Sequence, residues 1–236
     1  IAQMVSAVLC FFKLKRMTDV FDLKFKYLKP DMENIMTILR LGLPSGITQA
    51  IFSMAMVVVQ SLTNSFGEMV IAANVIIMRV DGFAMMPNFS FGTAMTTYSG
   101  QNVGAREFDR VHKGAKQGTI IAAGTSAAIT GLILIFGKYL MGIFTNTSEL
   151  VTLSANMMKI LAVGYIAMAV TQSLSGVMRG AGDTMTPMWI SIVTTVFIRV
   201  PLAYGIAHFT KTPELPGGRY ECIWVSLLIS WVLGAV

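Results

Sequence analysis

Polar breaks divide this chain into continuous apolar runs at 44–64, 70–99, 118–136, 150–178 and 187–209, and a sixth run opens at 223. Each is close to the ~20 residues that a helix, rising ~1.5 Å per residue, needs to cross ~30 Å of hydrocarbon. The breaks between them are too short to hold a soluble domain. Only helices and closed barrels satisfy every backbone group inside lipid, and unbroken apolar runs are not the alternating strands of a barrel. The pattern predicts an all-α, polytopic membrane protein. A 54% apolar composition, 13% charge and a mean hydropathy of +0.66 agree with it.

The first apolar run, 1–12, is only about half a span, and its positive charges Lys13, Lys15 and Arg16 follow it. A secretory signal would place them before the apolar core, so 1–12 reads as the exit end of a preceding transmembrane helix. Residues 13–43 read as a cytoplasmic linker. Within it, 13–29 mixes bases with Phe21, Phe25 and Tyr27 at headgroup level, and Ile35, Ile38, Leu39 and Gly42 recur at helical spacing behind a Pro30–Asp31 start signal. That spacing predicts an interfacial helix. Pro44 is then expected as a first-turn proline of the next span, with 44–236 forming a transmembrane lobe whose last helix is incomplete.

Charge adds orientation. Lys and Arg number seven, four and one in 13–43, 100–117 and 179–186, against none, one and two in 65–69, 137–149 and 210–220. The positive-inside rule places the first set in the cytoplasm, where contact with anionic lipid headgroups accounts for the +6 net charge. No aromatic–basic surface accompanies these charges, so nucleic acid is not an expected partner. Cys10 and Cys222 lack metal-ligand spacing and read as small apolar residues.

Ionisable groups inside spans carry the candidate chemistry. Arg79 and Asp81 fall near the middle of the second full span, Lys159 in the fourth and Arg199 in the fifth. Two residues apart, Arg79 and Asp81 point to different sides of one helix and cannot pair as i, i+4 neighbours do. Asp81 is a candidate to take up and release a proton during transport; the alternative is a structural ion pair with Arg79 or with Arg199 across helices. Lys159 is placed to snorkel. Gln49, Gln60, Asn64, Asn88 and Gln172 either line a polar cavity or bond between helices, and Gln60 and Asn64, four apart, share a face.

Pro87 and Pro201 lie inside spans and release the carbonyls of Phe83 and Phe197, which predicts kinks, either for packing or at a transport site. Small residues at near four-residue steps, Ala115, Gly118, Ala122 and Thr125, or Gly176 and Gly180, permit close helix approach. Methionines such as Met54, Met78, Met86, Met157, Met158 and Met168 suit either an adaptable cavity or ordinary core filling. Neither a Ser/His/Asp arrangement, nor HExxH, nor a phosphate-binding GxxxxGK[ST] is present, so the chain reads as a non-enzyme without a cofactor, driven by an ion gradient.

The stretches RVDGFAMMPNFSFGTAMTTYSGQNVGARE and SGVMRGAGDTMTP, after the helix start LGLPSGITQ, resemble the carboxyl-terminal lobe of the multidrug and toxic compound extrusion (MATE) family. The resemblance covers essentially the whole chain. It implies a six-helix lobe of a twelve-helix transporter in the cell membrane, working with an amino-terminal lobe and exporting small cationic, amphipathic substrates in exchange for Na⁺ or H⁺. Within the loop motifs, Gly100, Gly104, Gly180 and Gly182 suit tight turns, and Gln101, Asn102 and Asp183 suit helix caps; Arg179 and Thr184 complete the second motif. Some branches carry acidic coupling residues in the seventh and tenth helices, where the corresponding spans here offer Gln60 and Gln172 but no Asp or Glu; a branch that this chain resembles more closely places its coupling Asp in the first helix, with Asp81 as a further contributor from the carboxyl-terminal lobe. A lipid-linked precursor flippase of the same plan and a non-transporting membrane subunit are the competing readings.

Overall fold

The computed structural model describes residues 2–16, 30–213 and 215–236, so most of the expected headgroup-level segment 13–29 lies outside the described residues. The chain divides into two compact units, 1–40 and 41–236. The first holds α1 (Ala2–Arg16), exposed throughout, with Lys13, Lys15 and Arg16 in its last turn, where cations suit the carbonyl end of a helix. It also holds the start of α2 (Met32–Asn64). Asp31 starts that helix: Glu33 donates its backbone N–H to Oδ1 at 3.0 Å and the Asn34 amide donates to Oδ2 at 2.8 Å.

One expectation is corrected in α2. The interfacial helix and the first full span are a single 33-residue helix, with Pro44 inside it rather than in its first turn. The Asp31 cap starts the helix twelve residues before the proline. Beyond it, the Ser45 hydroxyl donates to the Leu41 carbonyl at 3.3 Å, while the carbonyl that Pro44 itself releases is that of Arg40.

The second unit adds α3 (Glu68–Gly104), α4 (Phe108–Gly142), α5 (Ser148–Gly180) and α8 (Cys222–Ala235). Between α5 and α8 runs one span built of α6 (Met185–Ile192), a π-helical stretch (Val193–Arg199) and α7 (Val200–Phe209). Five helices, α2 to α5 and the composite one, are long and apolar enough to cross a membrane. Among the described residues the only β pairing is an isolated bridge, Thr212 to Leu215, so the fold is all-α as predicted. The short connections make neighbours antiparallel. Gly100 and Gly180 meet at one end, and Gly217 lies against Phe66 at the other.

α5 is the central helix. Half of its most apolar stretch is buried, against 17% in α2, and α3, α4 and α8 surround it. Its buried Met157, Met158, Leu161 and Tyr165 join a core with Ile77, Val80, Met85, Met141 and Trp224. Lipid tails are as apolar as these side chains, so close packing and interhelical hydrogen bonds must hold the bundle. Both are visible. Gly92 and Gly100 of α3, one turn either side of Thr96, face Gly176 and Gly180 of α5, and Thr130 of α4 donates to the Ala162 carbonyl at 2.7 Å.

The two internal prolines differ. α3 is helical without interruption across Pro87, whereas Pro201 stands just after the π-helical stretch. A proline ring crowds the carbonyl four residues back and offers it no N–H, and a widened turn relieves both problems. Such π turns recur at functional sites, and this one carries Arg199.

Candidate functional site

Three helices bring ionisable groups together at mid-bundle. Asp81 of α3 is half-buried, and the hydroxyl of the buried Tyr165 of α5 donates to its Oδ1 at 2.8 Å. Arg199, only 5% exposed, stands within electrostatic reach of the carboxylate. No hydrogen bond joins the two, and among the described residues the guanidinium Nε has no hydrogen-bond partner. Of the two cations considered for Asp81, Arg199 is the buried one. Arg79, two residues along α3, is exposed on another side.

Below this group lies a closed polar layer. The fully buried Asn88 donates to the Tyr165 carbonyl at 3.3 Å and accepts the Ser126 hydroxyl of α4 at 2.6 Å. Each end of the amide is satisfied, as a buried polar group requires. Tyr165 is thus fixed twice, through its carbonyl and through its hydroxyl, and its ring packs 5.9 Å from that of Trp231 in α8. Tyr165 and Ser126 were not visible as candidates in the sequence. A tyrosine or serine in an apolar run is ordinary, and only the rotation of α4 and α5 aims these two at α3.

Tyr165→Phe tests the first link. The phenyl ring keeps the contact with Trp231 but leaves the carboxylate without its donor, a change that costs about 1–3 kcal/mol at a buried site. We expect a lowered thermal midpoint in detergent and weakened transport; an unchanged midpoint would show that the bond contributes nothing to the fold.

The other candidates separate from this cluster. Gln60 donates to Asn64 at 3.0 Å and accepts from Asn74 of α3 at 3.4 Å, a polar group bridging α2 and α3. Gln49 and Lys159 are exposed, and Gln172 is half-buried with its backbone 3.1 Å from where a Gly92 Cβ would stand. Among the methionines, Met85, Met157, Met158 and Met168 are packed in the core, while Met54, Met56, Met78 and Met86 are exposed.

In the loop motifs, Gly182 takes φ +92° and fits its turn, but in the α3–α4 turn the left-handed residue is Arg106, at φ 60°. Gly104 ends α3, and Gly100 and Gly180 lie within helices as contact points. Asp183 accepts the Thr186 N–H at 3.0 Å at the start of α6. Bonds from the Thr186 side chain and backbone hold its carboxyl below the usual range. Asn102 turns back to the Tyr98 carbonyl at 2.8 Å. Gln101 is exposed, Arg179 is half-buried and Thr184 is buried beside the same turn.

The described residues thus form a helical bundle of membrane-length spans around a carboxylate, a phenol and a guanidinium. The MatE family model matches residues 44–205, and the chain belongs to that family. It is 30% identical over 207 residues to the probable multidrug resistance protein YoeA of Bacillus subtilis, covering 86% of this chain and 44% of that protein. To the probable multidrug resistance protein NorM of Thermotoga maritima it is 26% identical over 189 residues, covering 80% and 41%. It shares the fold of a structure described as the outward-facing conformation of a multidrug resistance MATE family transporter of the MOP superfamily. There the TM-score is 0.85 at 23% identity, over 98% of this chain and 51% of that one. The chain spans about half the length of the curated relatives it matches.

Proposed function

We propose that this chain is one lobe of an ion-coupled exporter of cationic, amphipathic compounds, paired with a second lobe of similar size and working by alternating access. The observation that carries the reading is the Asp81–Tyr165–Arg199 cluster, which sets a carboxylate among three helices of a MatE-family bundle. A buried carboxylate with a nearby cation can exist in two charge states, and a site with two charge states can bind ion and cationic substrate in alternation. The coupling ion is Na⁺ or H⁺, drawn from a gradient across the cell membrane, with 100–117 and 179–186 on the cytoplasmic side.

Dye efflux from cells carrying the two-lobe transporter tests this. We expect efflux of a cationic dye to fall severalfold when one ion gradient is collapsed and to persist when the other is. Efflux indifferent to both gradients would sink the reading and favour a flippase or a non-transporting subunit.

A further inference from the structure

At the end of the bundle where Gly217 lies against Phe66, a cavity of about 630 Å³ opens between the end of α2 and the end of α7. Its size falls within the roughly 300–1,000 Å³ usual for a small-molecule site. Tyr204, His208 and Lys211, at steps of four and three along and just past α7, line one wall, and Ser65 lines the other. The loop that closes the cavity is held in place. Thr210 Oγ1 accepts the Arg219 N–H at 2.8 Å, and Thr212 pairs with Leu215 as a bridge. A Cβ on the buried Gly218, at φ +82°, would overlap the Ala207 carbonyl oxygen. The walls are therefore set by the fold.

The lining sorts into donors and acceptors. The Lys211 ammonium and the His208 imidazole offer N–H groups, the imidazole in either charge state. The two hydroxyls have already committed their hydrogens, since Ser65 donates to the Leu62 carbonyl at 2.7 Å and Tyr204 to the Val58 carbonyl at 3.2 Å. Their oxygens are left to accept. A ligand that fits both halves carries an anionic group for the bases and, a few bonds away, an N–H or O–H donor. Basic side chains at the carbonyl end of a helix also suit its dipole, but that role requires neither the cavity nor the acceptors beside them. Tyr204 is exposed, and tyrosine at the end of a span marks the headgroup level of a bilayer. Phe209, 87% exposed with its ring 5.7 Å from that of His208, adds apolar surface next to the bases.

We propose that this cavity holds the headgroup of a phospholipid, with the phosphodiester between His208 and Lys211 and a headgroup ammonium or hydroxyl at the Ser65 and Tyr204 oxygens. Phosphatidylethanolamine and phosphatidylglycerol carry both parts, whereas phosphatidylcholine has the phosphate and no donor. The phosphate bonds are charge-assisted, the stronger kind, and the donor end supplies the selectivity. The site stands apart from the Asp81 cluster and does not rest on the export reading; on the orientation given above, the lipid belongs to the leaflet away from the cytoplasm. Its consequence is mechanical. Of the five long spans α2 is the least buried, at 17% of its most apolar stretch. Its polar ties are the Gln60 bond with Asn74 of α3 and the Val58 bond with Tyr204 of α7. A headgroup seated between Ser65 and Lys211 adds a further tie between α2 and α7, so the bound lipid steadies the bundle.

The experiment uses the purified, delipidated two-lobe transporter in detergent, titrated with each of the three phospholipids in turn. Bound lipid is counted by native mass spectrometry, and the thermal midpoint is followed alongside. We expect phosphatidylethanolamine and phosphatidylglycerol to bind about tenfold more tightly than phosphatidylcholine and to raise the midpoint more. His208→Gln combined with Lys211→Gln is expected to weaken every phospholipid by about tenfold or more, and Ser65→Ala to shrink the preference over phosphatidylcholine severalfold. The lipid-free midpoint of each variant checks its fold, and Lys211→Gln alone gives the same direction should the double variant be unstable. Binding that the double variant leaves unchanged would overturn the site. Equal affinity for phosphatidylcholine and phosphatidylethanolamine would overturn the assignment of the headgroup donor to Ser65 and Tyr204. Glycerophosphoethanolamine, the same headgroup without tails, separates the two sources of such a phosphodiester. It is expected to bind about tenfold more weakly than the lipid, and affinity equal to the lipid's would overturn the lipid assignment in favour of a soluble ligand.

Discussion

Asp81→Asn is expected to lower ion-driven export of a cationic dye by a factor of about ten or more, equivalent to at least ~1.4 kcal/mol of lost coupling, while the protein stays folded and inserted. The amide is isosteric with the carboxyl group and its oxygen still accepts from Tyr165, so the 2.8 Å bond in this position survives. What disappears is the second charge state. An ion drives exchange only to the extent that the carrier's two states differ in free energy toward it, and an asparagine is neutral at every working pH. The variant should therefore stay folded, because its hydrogen bond to Tyr165 is preserved, with a lowered thermal midpoint from the buried Arg199 left without a counter-charge, and lose transport. Dye efflux and thermal unfolding on the same preparation separate the two effects. Export at the wild-type rate would remove Asp81 from the mechanism.

Most of the architecture was legible because span length and hydrophobicity are local properties. The run at 150–178 became α5 (Ser148–Gly180) and the run at 187–209 became the composite span Met185–Phe209, with differences confined to polar ends that extend past the hydrocarbon. Pro44 was misplaced because the same residue suits a first turn or a tolerated interior, and only the strength of the preceding Asp31 cap decides. Asp81 and Arg199 stood out as charges in apolar runs. Their companion Tyr165 did not, since its pairing depends on how two helices 84 positions apart are rotated about their axes, which no local pattern encodes. Gly100 misled for a related reason. It sits in a motif that looks like a turn, yet the motif begins inside α3, and the glycine is needed where α5 passes.

That passage gives the second large effect. Gly176→Ala is expected to cost about 3 kcal/mol, at the upper end of the range for overpacking a well-packed contact, although alanine is the better helix former by ~1 kcal/mol. A Cβ on Gly176 would overlap the Gly92 carbonyl oxygen and stand 3.1 Å from Met95 Cβ. The obstruction is backbone, which cannot rotate away as the end of a side chain can. Gly180, one turn on, makes the same demand, because a Cβ there would overlap the Thr96 carbonyl and stand 2.9 Å from the Gly100 nitrogen. α3 and α5 would have to part along this whole face, and the Asn88–Tyr165 bond that seats the ionisable cluster crosses the same interface. Gly131→Ala in α4 is the comparison, since a Cβ there meets nothing within 4 Å and should leave stability unchanged or raise it by ~0.5–1 kcal/mol. Thermal unfolding of both variants in detergent decides the matter. Equal midpoints for the two would mean that the glycine stripe does not set the distance between α3 and α5, whereas a large loss confined to Gly176→Ala makes helix contact, rather than turn formation, the reason that glycine stands there.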